Sequence, residues 1–92
     1  MIVTAMAALA KRTDRFSEAD IDEEIVVMML DTGQFFSLSG TSAAIWRLID
    51  GQRDRAAVLA SLTGAFHGEE QAVTKDLDEF LATLREMGLL VD

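Results

Sequence analysis

The chain has no cysteine, no proline and no tyrosine, a single histidine, and half as many basic as acidic side chains. Without cysteine there is no disulfide framework, no thiol nucleophile and no cysteine-ligated metal. With no proline, no repeat and no low-complexity stretch, nothing marks an internal boundary. The 92 residues therefore read as one domain with one modest core. No apolar run approaches the ~20 residues of a membrane-spanning helix. The apolar start "MIVTAMAALA" is short and precedes its positive charges, Lys11 and Arg12, the reverse of a secretory signal. These features set the expectation of a cytoplasmic protein. Residues 1–14 are expected to form a flexible arm, loosely held or partly docked, ahead of a domain over residues 15–92.

Charge narrows the partners. Eight Lys and Arg face sixteen Asp and Glu, a net charge of −8. That balance opposes nucleic-acid binding, in which phosphate neutralisation supplies most of the affinity. It suits a basic or neutral partner and keeps the chain soluble. With half its residues apolar and 26% charged, the composition is that of a folded globular chain.

Periodicity predicts strands first and helices after. "RFSEADID" (15–22) alternates weakly and is polar enough for a sheet edge. "EIVVMML" (24–30) is a nearly continuous apolar run of strand length, suited to a central strand covered at least partly on both faces. "DTGQ" is a turn with Gly33 free to take positive φ, and "FFSL" returns as the second arm of a hairpin. Alternation places Phe36 and Leu38 on the core face and Phe35 and Ser37 on the other.

Ser39, Thr41 and Ser42 are N-cap candidates for a first helix. There Ile45, Leu48 and Ile49 share a face with Trp46 at its border, and Gly51 stops the helix. Asp54 can cap a second helix carrying Val58, Leu59, Leu62 and Phe66, softened by Gly64. The third helix has one continuous stripe of Val73, Leu77, Phe80, Leu81, Leu84 and Met87, ended by Gly88. After it, "LLVD" can fold back onto the core. The fold class is α+β. A three-stranded antiparallel sheet is followed by three helices (β-β-β-α-α-α), as in a winged helix-turn-helix with its strands first.

An inventory of chemistry argues against an enzyme. His67 has no cysteine or tyrosine to work with, and no glycine-rich phosphate loop precedes a helix. His67 with Glu69 and Glu70 matches no ligand spacing, and solvated turn residues account for them. Asp76, Asp78 and Glu79 lie on a helix without a matched acid–base partner, where carboxylates serve solvation. No metal and no cofactor are expected. A DNA recognition helix is opposed by Glu69, Glu70, Asp76, Asp78, Glu79 and Glu86 against only Lys75 and Arg85.

Binding without catalysis remains. A three-stranded sheet leaves two edges whose free N–H and C=O groups can accept an extended peptide as a further strand. The strand at "FFSL" suits that role if the third helix leaves a groove beside it. Periodicity alone equally allows both phenylalanine rings to fill core.

At "DTGQFFSLSGTSAAIWRLIDG" the chain resembles the PqqD-like family, the RiPP recognition elements. An acidic turn with glycine precedes two aromatics and a leucine, and then "IWRLIDG" follows. A late Asp-Leu-x-x-Phe-Leu with "LREMGLL" completes the pattern over residues 15–91. Ser39 departs from it, standing where the family commonly has asparagine, one capping residue for another. The resemblance implies a winged-helix fold that binds the leader segment of a ribosomally made precursor peptide by strand addition. The family presents that leader to a modifying enzyme such as a radical SAM enzyme, a leader peptidase or a cyclase.

Carried onto this chain, the resemblance puts the leader beside Gln34, Phe35, Phe36, Ser37 and Leu38, against one flank of the third helix. Phe36 then anchors the strand and Phe35 lines the pocket. Both flanks of the helix satisfy the spacing. The flank of Ala72, Asp76, Glu79 and Thr83, with Phe80 of the stripe, carries the family's late acidic position at Asp76. Asp76 also suits a plain helix charge near the N-terminal half. A monomer, or a weak dimer through a strand edge, is expected. A non-catalytic scaffold subunit that binds a folded partner is the alternative, with a DNA-binding winged helix a distant third.

Overall fold

The computed structural model describes residues 8–66 and 68–91. Its elements are β1 (Ala10–Lys11), β2 (Phe16–Ile21), β3 (Glu24–Met29), β4 (Phe35–Leu38), α1 (Gly40–Leu48), α2 (Arg55–Ala65), α3 (Glu70–Glu86) and β5 (Leu90–Val91). The expected sheet is antiparallel with the order β2-β3-β4, and the three helices follow it. A small second sheet pairs β1 with β5, Ala10 opposite Val91 and Lys11 opposite Leu90.

Alternation decides which face of the sheet meets the helices. Ile25, Val27 and Met29 of the β-branched central strand are buried, as are Phe16 of β2 and Leu38 of β4. Register places them on one face, since Phe16 opposes Met29, Val27 opposes Phe36, and Ile25 opposes Leu38. The other face of β3 is less covered than its apolar run suggests. Val26 is half-buried and Met28 exposed, because no element among the described residues packs over that side.

Two glycines shape the strand that matters most. Gly33, at φ +77, closes the β3–β4 turn, its N–H donating to the Met29 carbonyl at 2.9 Å. Gly40, at φ +57, swings the chain from β4 into α1 with only Ser39 between them. Side chains other than glycine rarely adopt that left-handed conformation. Ser39 holds the N-cap position but makes no side-chain cap bond. Asp54 caps α2 as expected, accepting from the Ala57 N–H at 2.9 Å.

The helices bury what their spacing promised. Val58 and Leu62 of α2, and Val73, Leu77, Leu81 and Leu84 of α3, join the sheet's inner face in one core. Phe80 and Met87 lie at the margin of the α3 stripe, half-buried. Leu89 and Leu90 fold back into the core, as the sequence allowed. Arg55 and Asp78 pair through two hydrogen bonds, 2.8 and 3.0 Å, that tie α2 to α3. No helix among the described residues is long and apolar enough to cross a membrane.

One expectation requires correction. Trp46 is not at the border of the α1 face but completely buried, while Leu48 is the half-buried one. The cause lies in residues 9–11, the docked part of the segment ahead of β2. Leu9 is buried, its N–H donates to Arg53 O, and its carbonyl accepts from Gly51 N–H. Lys11 then covers the indole, its Nζ 4.4 Å from the ring centroid and 3.0 Å from Trp46 O. Phe16 meets the same ring edge-on at 5.1 Å, and Trp46 Nε1 donates to Glu18 Oε2 at 3.2 Å. Burial pushes the Lys11 ammonium below its ordinary pKa of 10.5, opposed by the nearby charges of Glu18 and Asp50.

Candidate functional site

The hydrogen-bond alternation of the sheet fixes which backbone groups of β4 are open. Met29 N–H donates toward β4, to Gln34 O at 2.7 Å, and Leu30 N–H donates the other way, to Arg15 O at 3.0 Å. In an antiparallel ladder the N–H and C=O of one residue point the same way, and successive residues alternate. Val27 and Ile25 therefore bond toward β4, where Phe36 and Leu38 oppose them. Phe35 and Ser37 turn their N–H and C=O groups outward, to an edge with no strand beside it among the described residues.

Beyond the C-terminal end of that edge lies a cleft. Thr41 and Ser42, in the first turn of α1, face Asp76, Glu79, Phe80 and Thr83 of α3 across a hollow of about 320 Å³. Its walls combine one half-buried aromatic ring with hydroxyls and two carboxylates. Thr83 Oγ1 donates to the Glu79 carbonyl at 3.0 Å. A larger hollow, about 510 Å³, follows the opposite flank of α3 along Glu70, Gln71, Thr74, Lys75, Asp78 and Glu79. It is lined by α3 alone, whereas the smaller one sits where the strand edge feeds into a helix. Arg55 holds the Asp78 carboxyl below its usual range on that opposite flank, where the pair serves α2–α3 packing.

The structure thus brings Asp76, Glu79, Phe80 and Thr83 together, on the helix flank that carries the acidic position. Ala72 is exposed on the same flank, one turn earlier, and does not line the hollow. Gln34, just before β4, and Ser37 within it are exposed, and Leu38 at its end is buried. Phe36 sits half-buried against the core on the inner face. Phe35 does not line the cleft. It is 72% exposed on the opposite face of the sheet, because alternation sends adjacent side chains to opposite sides.

Thr41 and Ser42 entered the sequence analysis only as cap candidates. Their position directly after the edge strand was the signal that they also form a wall. His67 lies outside the described residues, so the arrangement with Glu69 and Glu70 is not placed. Among the described residues no group of three or more His, Cys, Asp or Glu side chains is set to hold a metal ion.

Residues 24–90 match the sequence profile of the family described as coenzyme PQQ synthesis protein D (PqqD). Two solved structures are similar over most of the chain. TbiB1 in complex with the TbiA(beta) leader peptide aligns with a TM-score of 0.74 and 28% identity, covering 85% of this chain and 91% of that one. A lasso peptide synthetase B1 complexed with the leader peptide aligns with a TM-score of 0.75 and 28% identity, covering 94% of this chain and 100% of that one. No curated protein sequence matches the chain.

Proposed function

The chain belongs to the PqqD family, and on that footing we propose that it binds the leader segment of a ribosomally synthesised precursor peptide. The leader adds to β4 as a further strand of the sheet, its main chain bonded to Phe35 and Ser37. Its next residues run toward the cleft of Thr41, Ser42, Asp76, Glu79, Phe80 and Thr83. The open β4 edge leading into that cleft carries this reading. Two similar structures of this fold, each solved with a leader peptide bound, support it.

The role is non-catalytic. Strand addition supplies register through main-chain bonds, and the neighbouring side chains supply selectivity. The residue from 15 onward form the binding domain, and residues 9–11 brace it through Trp46. The partner enzyme, of the radical SAM, leader peptidase or cyclase kind, acts on the peptide held in this way. We place the encounter in the cytoplasm, where the precursor is translated.

The test is a titration with the synthetic N-terminal segment of a precursor encoded beside this gene, followed through backbone amide shifts. Saturable changes at residues 34–38 and along residues 76–83 are expected. Shifts confined to the β2 edge or to the opposite flank of α3 would refute the β4 site. A silent titration accompanied by tight binding to a folded enzyme would favour a scaffold.

A further inference from the structure

The cleft accounts for one face of an added strand and leaves the other unexplained. On the outer face of the sheet, register lines up Ser17, Met28 and Phe35 across the three strands, and Ala19, Val26 and Ser37 beside them. Phe35 is more exposed than any other large apolar side chain among the described residues, and Met28 next to it is 39% exposed. Phe35 belongs to no part of the core. Its ring contributes little to folding and stands where the row reaches the open edge.

We infer that Phe35 is a specificity residue for the peptide. The peptide residue directly opposite it in the added strand carries an aliphatic or aromatic side chain that packs on its ring. This rests on the leader-binding function proposed above. The leader is then read on both faces, by Phe80 and the polar cleft on the helix side and by Phe35 with Met28 on the outer side. Residues opposite one another in neighbouring strands share a face and lie within side-chain contact. The occupant of the space beyond Phe35 is therefore the outward side chain of whatever strand pairs with β4. Along the Ser17–Met28–Phe35 row the apolar surface lies at the β4 end, with Ser37 small beside Phe35, while exposed Ile21 of the same face stands at the far corner on β2. One strand side chain covers such a spot, whereas a folded partner needs roughly 800 Å².

The test uses a display library of random linear peptides, selected in parallel on the full chain, Phe35→Ser and Ser37→Pro. Peptides enriched on the full chain and lost on Ser37→Pro are those that add to the edge. Among them an aliphatic or aromatic residue should recur at one register position, and the Phe35→Ser selection should lose that preference alone. With one such peptide, Phe35→Ser should weaken binding about three- to tenfold. Changing the peptide's outward residue to serine should abolish the difference between the two proteins. An unchanged preference on Phe35→Ser overturns this inference and leaves the leader-binding function standing. If no peptide depends on Ser37, strand addition fails and the inference fails with it. A dimer that dissociates in sedimentation when Phe35 becomes serine, with peptide selection unaltered, would assign the ring to contact between copies and also overturn it.

Discussion

Ser37→Pro separates the edge from the fold. The Ser37 N–H points away from β3, so proline removes no ladder bond there. Its side chain is exposed, and an edge strand tolerates proline when the missing N–H faces solvent. The expected loss of stability is below about 1 kcal/mol, from φ alone. In a bound peptide the same N–H donates to a carbonyl. Losing that bond costs about 0.5–1.5 kcal/mol. The ring also stands where a carbonyl oxygen must approach to about 2.9 Å, so the adjacent bond is disturbed as well. Together these amount to about 1–3 kcal/mol, a weakening of roughly five- to 150-fold. Fluorescence anisotropy with a labelled leader segment measures the affinity, and urea unfolding followed through Trp46 measures the stability. Phe36→Pro is the contrasting variant. It removes a bond to Val27 and should unfold the sheet. A folded Ser37→Pro protein that binds within twofold of the parent would refute main-chain addition at β4.

Other variants test the supports of the site. Phe80→Ala should weaken leader binding at least tenfold at a stability cost well below that of Leu81→Ala. The first ring is half-buried in the cleft, while the second is a core deletion worth about 2–5 kcal/mol in chemical denaturation. Lys11→Ala should red-shift Trp46 emission and cost about 1–2 kcal/mol, because the indole loses its covering cation and the Trp46 backbone carbonyl loses the hydrogen bond from Lys11 Nζ. Asp78→Asn should cost less than about 1 kcal/mol at pH 7, since both partners of the Arg55 pair are half exposed and screened by water. Arg55 depresses the folded carboxyl, so its contribution is full above the unfolded value of 3.8. It is lost as pH falls through the folded one, and denaturation of parent and variant should converge below that value.

How much of this was legible in the sequence follows from where the determining contacts lie. Strand and helix identity came from local spacing. The EIVVMM run, the Gly33 turn and the α3 stripe each carry their own signal within a few residues. The placement of Phe35 and Phe36 on opposite faces was legible for the same reason. Assigning Phe35 to a pocket was not, since that required knowing that the helices cover a single face. Trp46 was misjudged because what covers it comes from Lys11 and Phe16, 35 residues away in the case of the Lys11 bond. A two-residue strand pairing with another of the same length leaves no periodic trace. The helix flank was undetermined for a related reason. Helical spacing gives two margins to a stripe, and which of them lines a hollow with α1 depends on how α1 packs against α3.

The two edges of the main sheet differ in a way that bears on function. An unpaired edge invites association, and charged side chains are the common defence. At β2, Glu18 is engaged by Trp46 and Asp20 by Arg47 at 3.7 Å, so carboxylates are fixed along that strand. The β4 strand reads Phe-Phe-Ser-Leu and carries no charge at all. Its shortness limits pairing with a second copy, which would gain few main-chain bonds. A peptide that adds the same bonds and also reaches Phe80 and the carboxylates of the cleft gains more. The asymmetry favours the docking role proposed for β4, and with that proposal it predicts that a weak dimer through this edge would be displaced by the leader rather than coexist with it.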